Sequence, residues 1–317
     1  MKTTAVVVTY NPPAEFADHL DAWMSQVDQL VVVDNGSAPA WRDDVRRLTQ
    51  TRLAGVEFIW NETNLGIAAS LNRGFARLMD QGHELAFVFD QDSRPSPGMV
   101  AEMLQVYDRH PDRSRVAIVA PNIDIPSSNN SLSFLQPYGP FLFRRVRCTD
   151  QRTLEGISVV ITSGALYNLR AYSQIGPFRE DLFIDYVDTE YCLRARQHGY
   201  NLVVACHARL QHRFGNQRER RFGPITMHPS FHSPLRWYYI SRNRVPVTRT
   251  YALRFPHWFL YEFVLNMYGL VRLVLFEDRK ADKFLAMLLG AWDGLLNRLG
   301  PISDGRRSLF ARHESEK

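Results

Sequence analysis

Five apolar residues run directly into two carboxylates at Leu85-Ala86-Phe87-Val88-Phe89-Asp90-Gln91-Asp92-Ser93. A short continuous apolar run bounded by a turn signal predicts a strand buried on both faces. Arg94-Pro95-Ser96-Pro97-Gly98 stops it at once. Such a strand suits an open α/β sheet, where ligands bind just beyond the carboxyl ends of the strands. Asp90 and Asp92 fall at that place. A strand period of two puts both on one side, with Gln91 pointing away. Two carboxylates that close repel each other and favour a shared cation. Hard oxygen ligands suit Mg²⁺ or Mn²⁺. The simpler reading of the same residues is a solvated Asp-rich turn.

The segments before this strand repeat its logic. Ala5-Val6-Val7-Val8-Thr9-Tyr10-Asn11 is a β-branched run broken by Pro12-Pro13, and a helix is predicted from Glu15 to Gln26. Leu30-Val31-Val32-Val33-Asp34-Asn35-Gly36-Ser37 is a second buried strand ending in a turn. Strand, helix, strand in about 30 residues is a βαβ unit, so the sheet begins parallel. A carboxylate at the place of Asp34 can accept hydrogen bonds from a nucleoside. It can equally cap an Asx turn. A helix around Ala40 to Gln50 and a strand at Val56 to Trp60 come next.

Asn64-Leu65-Gly66-Ile67-Ala68-Ala69-Ser70-Leu71-Asn72-Arg73-Gly74 lacks the Lys-Ser/Thr pair of a Walker loop, which excludes a P-loop NTPase. Its small residues let a helix start approach a ligand backbone, and the helix dipole there favours a diphosphate. Close helix–sheet packing accounts for the same small residues.

Beyond the central strand, helix is predicted from Pro97 to Arg109 and strand over Val116 to Ala120. Residues 121–157 read as mainly irregular, with an edge strand over Phe141 to Cys148. Ile157 to Thr162 reads as a strand closed by Ser163-Gly164-Ala165, and Asn201 to Ala205 as the last strand. Between them, Phe183-Ile184-Asp185-Tyr186-Val187-Asp188-Thr189-Glu190 opens a helix. Acids in a first turn complement the helix dipole, and Glu190 to Arg194 is a favourable i,i+4 pair. A helix start facing the cleft is also a place for a general base. His212 offers a nitrogen ligand, although a lone His is more often a satisfied or surface residue. Arg213, Arg218, Arg220 and Arg221 suit either a solvated loop or a lid over a diphosphate.

From Ser233 the pattern changes to long helices, over Phe255 to Phe276 and Lys283 to Leu299, with a polar tail at 301–317. The 317 residues therefore divide into an α/β domain over 1–232, in halves of about 1–120 and 121–232, and a helical extension over 233–317. Glu262 and Arg272 interrupt the apolar 255–276 stretch, so no transmembrane helix is expected. Three cysteines with no C-x-x-C predict no disulfide framework or zinc site, and a reducing, cytoplasmic setting. The net charge of +5 fits phosphorylated substrates or an anionic membrane, and no nucleic-acid motif accompanies it.

In their order, Val8-Thr9-Tyr10-Asn11, Val33-Asp34-Asn35-Gly36-Ser37, Asn64–Gly74, Asp90-Gln91-Asp92-Ser93, Ser163-Gly164, Asp188–Glu190 and His212 resemble the family 2 inverting glycosyltransferases over about residues 3–245. Asp-Gln-Asp-Ser and Phe-Ile-Asp-Tyr-Val-Asp-Thr-Glu look like bacterial rhamnosyltransferases of O-antigen and surface polysaccharide, and galactofuranosyltransferases share much of the layout. The resemblance implies a GT-A fold, an α/β fold with a mostly parallel, Rossmann-like sheet. It implies that Thr9, Asn11 and Asp34 hold the nucleoside with Asn64 and Arg73 nearby. Asp90 and Asp92 would hold a divalent metal, Mg²⁺ or Mn²⁺, and the ribose–diphosphate, with His212 completing the metal site. Asp188 would be the base, with Asp185 as a rival acid. The Arg242-Asn243 pair also matches relatives, with its role open. The implied donor is a nucleotide sugar, dTDP-L-rhamnose first, and the acceptor a glycan, free or polyprenyl-diphosphate-linked. That acceptor and the aromatic, basic C-terminal third suggest peripheral contact with the inner face of the cytoplasmic membrane. Packing on protein, including a homo-oligomer, is the competing use of that face. Inverting transfer needs in-line attack with a carboxylate taking the acceptor proton. Two alternatives remain at this point: a nucleotide-sugar nucleotidyltransferase, which would want a Gly-rich basic loop after the first strand, and a non-catalytic binding module, which would need no base.

Overall fold

A computed structural model describes residues 2–12, 15–43, 55–124, 131–211 and 232–311, with the strand backbone of 220–222 and 225–227. The chain forms two compact units. The first comprises Met1–Gln136, Arg145–Glu180 and Val187–Arg213; the second comprises Pro137–Arg144, Asp181–Tyr186 and Phe214–Lys317.

The first unit opens with β1 (Thr4–Thr9), α1 (Phe16–Met24), β2 (Gln29–Asp34), β3 (Val56–Trp60), α2 (Ile67–Asp80) and β4 (Leu85–Asp90). The apolar runs of β1, β2 and β4 are buried because helices cover the sheet, while β3 at its edge is half-buried; Val6, Val31 and Val88 are neighbours across three parallel strands. After β5 (Arg94–Pro95), α3 (Met99–Arg109) and β6 (Val116–Asp124) come two short strands, β7 (Phe134–Tyr138) and β8 (Leu142–Val146), which among the described residues pair only with each other and whose Pro137–Arg144 stretch counts with the second unit. The unit is completed by β9 (Thr153–Leu154), β10 (Leu166–Asn168), α4 (Leu169–Ile175), α5 (Val187–Gln197) and β11 (Asn201–Gln211). Among the described residues the main sheet runs β3-β2-β1-β4-β10-β6-β11-β5, with β9 beside β11. The pairs β3–β2, β2–β1, β1–β4 and β6–β11 are parallel, and β10 is inserted antiparallel between β4 and β6. The expected mostly parallel α/β sheet is therefore present.

Three expectations are corrected in this unit. Ile157–Thr162 is not a strand. Its backbone makes isolated bonds instead, Ser158 N to Leu135 O at 2.8 Å and the Thr162–Ala165 turn at 3.0 Å, and pairing starts only at Leu166. β-branched composition describes a half-buried surface, and here that surface belongs to an irregular segment. Cys148 and Cys206 form a disulfide with Cα atoms 5.3 Å apart, so only Cys192 is free, and it is buried. Their separation of 58 residues hides a pair that the sheet brings together. The last strand also extends to Gln211 rather than ending at Ala205.

The second unit holds β12 (Arg220–Phe222) paired with β13 (Ile225–Met227), then α6 (Pro234–Tyr251), α7 (Pro256–Phe276), α8 (Lys280–Leu295) and α9 (Asp304–Ala311). Ser233 caps α6 by accepting from Arg236 N, with Pro234 in the first turn, the standard start chemistry. α9 lies where a polar tail was expected: Phe310 is buried and packs with Tyr238, Tyr239 and Ala286, an anchor that the polar composition of 301–317 conceals. α7 is long and apolar enough to cross a membrane by length and composition alone, with Glu262 and Arg272 inside it as the sequence shows. Each of its two interrupting charges meets an aromatic side chain of the same unit. Glu262 accepts from Tyr186 OH at 2.6 Å, and the Arg272 guanidinium lies 4.9 Å from the Tyr268 ring centre.

Candidate active site

The carboxyl ends of β1, β2 and β4 and the start of α2 build one polar network in the first unit. Asp34 closes β2 with no solvent exposure. Its Oδ1 accepts from Ser37 N and from Arg42 Nε, each at 3.1 Å, and its Oδ2 lies 3.5 Å from Thr9 Oγ1. Arg42 also donates to Asn61 O. Arg73, on α2, reaches Asn61 Oδ1 at 2.5 Å. Asn35 Nδ2 donates to Asn64 Oδ1 at 2.9 Å, and Asn64 Oδ1 also accepts from Gly66 N at 3.0 Å, ahead of the helix. Gly36 makes this closeness possible: at φ 83°, a Cβ there would meet Asn64 N at 2.6 Å. Asn11, at φ 41°, accepts from Ala38 N at 2.9 Å, and its own N–H donates to Ser37 Oγ at 2.8 Å. Thr9, Asn11, Asp34, Asn64 and Arg73 are thus gathered into one cluster. Asn35, from the Val33–Ser37 motif, binds it together with Arg42 and Asn61, which carry no motif of their own.

Asp90 ends β4, and Asp92 is exposed in the turn that follows. The turn is closed by Ser93, whose N–H and Oγ both donate to Asp90 O, at 3.0 and 2.8 Å. Gln91 faces the β1 end, accepting from Tyr10 N at 2.9 Å, while its carbonyl meets His19 Nδ1 at 2.9 Å. The strand therefore stops at Asp90, and the two acids are placed by a turn rather than by strand alternation. Among the described residues no group of three His, Cys, Asp or Glu stands ready for a metal. His212, Arg213 and Arg218 lie outside the described residues, and only the backbone of Arg220 and Arg221 is described.

Asp188 occupies the first turn of α5, and its Oδ1 accepts from Thr189 N at 2.8 Å. Its charge reaches inward, helping burial raise the buried Tyr167 hydroxyl and the Cys192 thiol. Tyr167 sits on β10, the strand beside β4. Glu190 is a different kind of acid. It is buried and bound by Arg194 Nε and Nη2, each at 3.0 Å. Asp185 belongs to the second unit. Arg236 Nη2 donates to its Oδ1 at 3.1 Å, its Oδ2 is buried without a partner among the described residues, and burial raises its carboxyl above the ordinary range against the pull of Arg236.

The geometry sits at the carboxyl edge of an α/β sheet, as open-sheet ligand sites do. Comparison with known proteins agrees. dTDP-rhamnosyl transferase RfbF of Shigella flexneri is 28% identical over 243 residues, 75% of this chain and 77% of that protein. The structure of S. aureus TarS 1-349 superposes with a TM-score of 0.55 at 15% identity, covering 94% of this chain and 82% of that one. GalNAc-T7 with UDP, GalNAc and Mn²⁺ gives 0.58 at 14% identity, covering 78% of this chain and 48% of that one, so this chain spans about half its length. These likenesses fix a GT-A type fold. Residues 4–176 match the family described as "Glycosyl transferase family 2". The chain belongs to glycosyl transferase family 2 and is a hexosyltransferase resembling bacterial rhamnosyltransferases.

Proposed function

We propose that the chain moves L-rhamnose from dTDP-L-rhamnose to a glycan or lipid-linked glycan acceptor of a bacterial surface polysaccharide, with inversion, and that Asp188 is the base. The observation that carries this reading is the single network joining Thr9, Asp34, Asn61 and Arg73 beside the Asp90–Asp92 turn. It offers oppositely charged and amide groups to a nucleoside and carboxylates to a cation. The likeness to a relative named dTDP-rhamnosyl transferase supports rhamnose as the sugar. Asp188 takes the acceptor proton as the new bond forms. Arg73 and the start of α2 favour the departing diphosphate.

Asp90 and Asp92 fit a divalent cation, Mg²⁺ or Mn²⁺, by donor chemistry, with His212 proposed as a further ligand. When bound, the ion supplies Lewis-acid stabilisation to the leaving diphosphate. A panel of nucleotide sugars given to purified protein tests the donor. Nucleoside diphosphate release from dTDP-L-rhamnose supports the reading, and preference for a UDP-furanose or UDP-hexose moves it to a galactofuranosyl or other hexosyl transferase.

The exposed apolar side chains of α7 and α8, among them Phe263, Val271, Leu288 and Trp292, favour peripheral contact with the inner face of the cytoplasmic membrane. Residues 232–311 carry 12 Lys and Arg against 6 Asp and Glu, the sign that anionic lipid attracts. Flotation with anionic liposomes at low and high salt tests this. Protein that stays at the bottom in both, and runs as a dimer in solution, assigns the face to a second copy.

A further inference from the structure

Within the second unit, two buried side chains on α6 grip one short stretch of backbone. Arg242 is 1% exposed and Asn243 is fully buried. Asn243 Nδ2 points at three carbonyls, those of Leu182, Ile184 and Asp185, at 2.8, 2.7 and 3.1 Å. Arg242 Nη2 donates to Leu182 O at 3.0 Å, and Nη1 donates to Gly300 O. The Arg242 Nε bond to Asn243 Oδ1, at 2.9 Å, fixes which way the amide faces.

The gripped stretch is strained. Phe183, Asp185 and Tyr186 hold φ of 64°, 60° and 64°, left-handed values that only glycine adopts freely. Such a conformation persists only when its surroundings over-determine it. Phe183 stacks on Tyr239 with centroids 5.2 Å apart, and Tyr186 OH accepts from Arg244 Nε at 2.9 Å. The clamp is backed by close helix packing. A Cβ on Gly290 or Gly294 of α8 would strike the α6 backbone at Tyr238 and Arg242. The peptide bond after Tyr186 leads to Val187 and Asp188, the first residues of α5.

We propose that Arg242 and Asn243 are positioning residues for the general base. They hold the 181–186 turn in its left-handed state, and that state sets how the chain enters the turn of helix carrying Asp188. The proposal rests on Asp188 being the base.

The test is a double-mutant cycle. Asn243→Asp keeps the size but aims a carboxylate at the three carbonyls; Asn243→Ser keeps one donor and serves if the first variant folds poorly. Each is measured alone and with Asp188→Asn for dTDP affinity, melting temperature and transfer rate. The expected result is a kcat loss of about tenfold or more with dTDP affinity within about twofold, shrinking to less than about twofold when Asp188→Asn is already present. Equal losses in both backgrounds would mean a merely structural role and overturn the proposal, as would no loss in either single variant. A dead Asp188→Asn beside fully active Asn243 variants overturns the clamp alone. A fully active Asp188→Asn overturns the base reading and the clamp with it.

Discussion

Glu190 and Arg194 form a bidentate ion pair on α5, with both contacts at 3.0 Å and the glutamate buried. Arg194 also donates to Ile175 O and Pro177 O, at 3.0 and 2.8 Å. The pair ties the helix to the chain that precedes it and consumes Glu190. Of the two acids in the first turn, Asp188 is the half-buried one with its carboxylate at the helix start.

That division predicts opposite phenotypes. Glu190→Gln lowers stability by about 1.5–3 kcal/mol, the range for hydrogen bonds to a charged group, and keeps the activity of its folded fraction. Asp188→Asn melts near wild type and loses roughly 10²–10⁴-fold in kcat. Denaturant titration beside single-turnover rates checks both.

A second prediction concerns the Asp90–Asp92 turn. Transfer stops in excess EDTA and returns with Mg²⁺ or Mn²⁺. Asp92→Ala removes the metal dependence of donor binding measured by calorimetry. Full activity under chelation would leave the two carboxylates as a solvated turn.

The third prediction is about pH and stability. Burial, with Arg236, Arg272 and Lys283 nearby, lowers the His232 imidazole from 6.5 to about 4. A lowered folded value means the unfolded chain takes the proton first. Stability is therefore full above pH 6.5 and is lost as pH falls toward about 4. Replacing His232 with Gln removes that part of the slope. Across this window the wild type should lose stability relative to the variant as pH falls, and parallel curves would show that His232 does not titrate there.

The sheet was legible because apolar runs with abrupt polar ends have few other solutions; Val6–Val8, Val31–Val33 and Phe87–Phe89 all lie where the runs place them. The site was legible where its residues end strands, as Asp34 and Asp90 do. It was hidden where a contact spans distant segments. Arg42 reaches Asp34 and Asn61 from a helix start without any motif, and Cys148 meets Cys206 across 58 residues. The Arg242-Asn243 pair was visible as a pattern, yet its partners are backbone carbonyls, which no side-chain pattern can reveal. The β-branched run at 157–162 misled because composition reports burial and says nothing of pairing.

The most direct measurement is the anomeric configuration of the product. Purified protein is given dTDP-L-rhamnose and an acceptor glycan, and the new linkage is read by NMR, with Asp188→Asn in parallel. The account predicts a rhamnosyl linkage of configuration opposite to the donor's, formed by the wild type and nearly absent from the variant. A retained configuration, or equal product from Asp188→Asn, would contradict it.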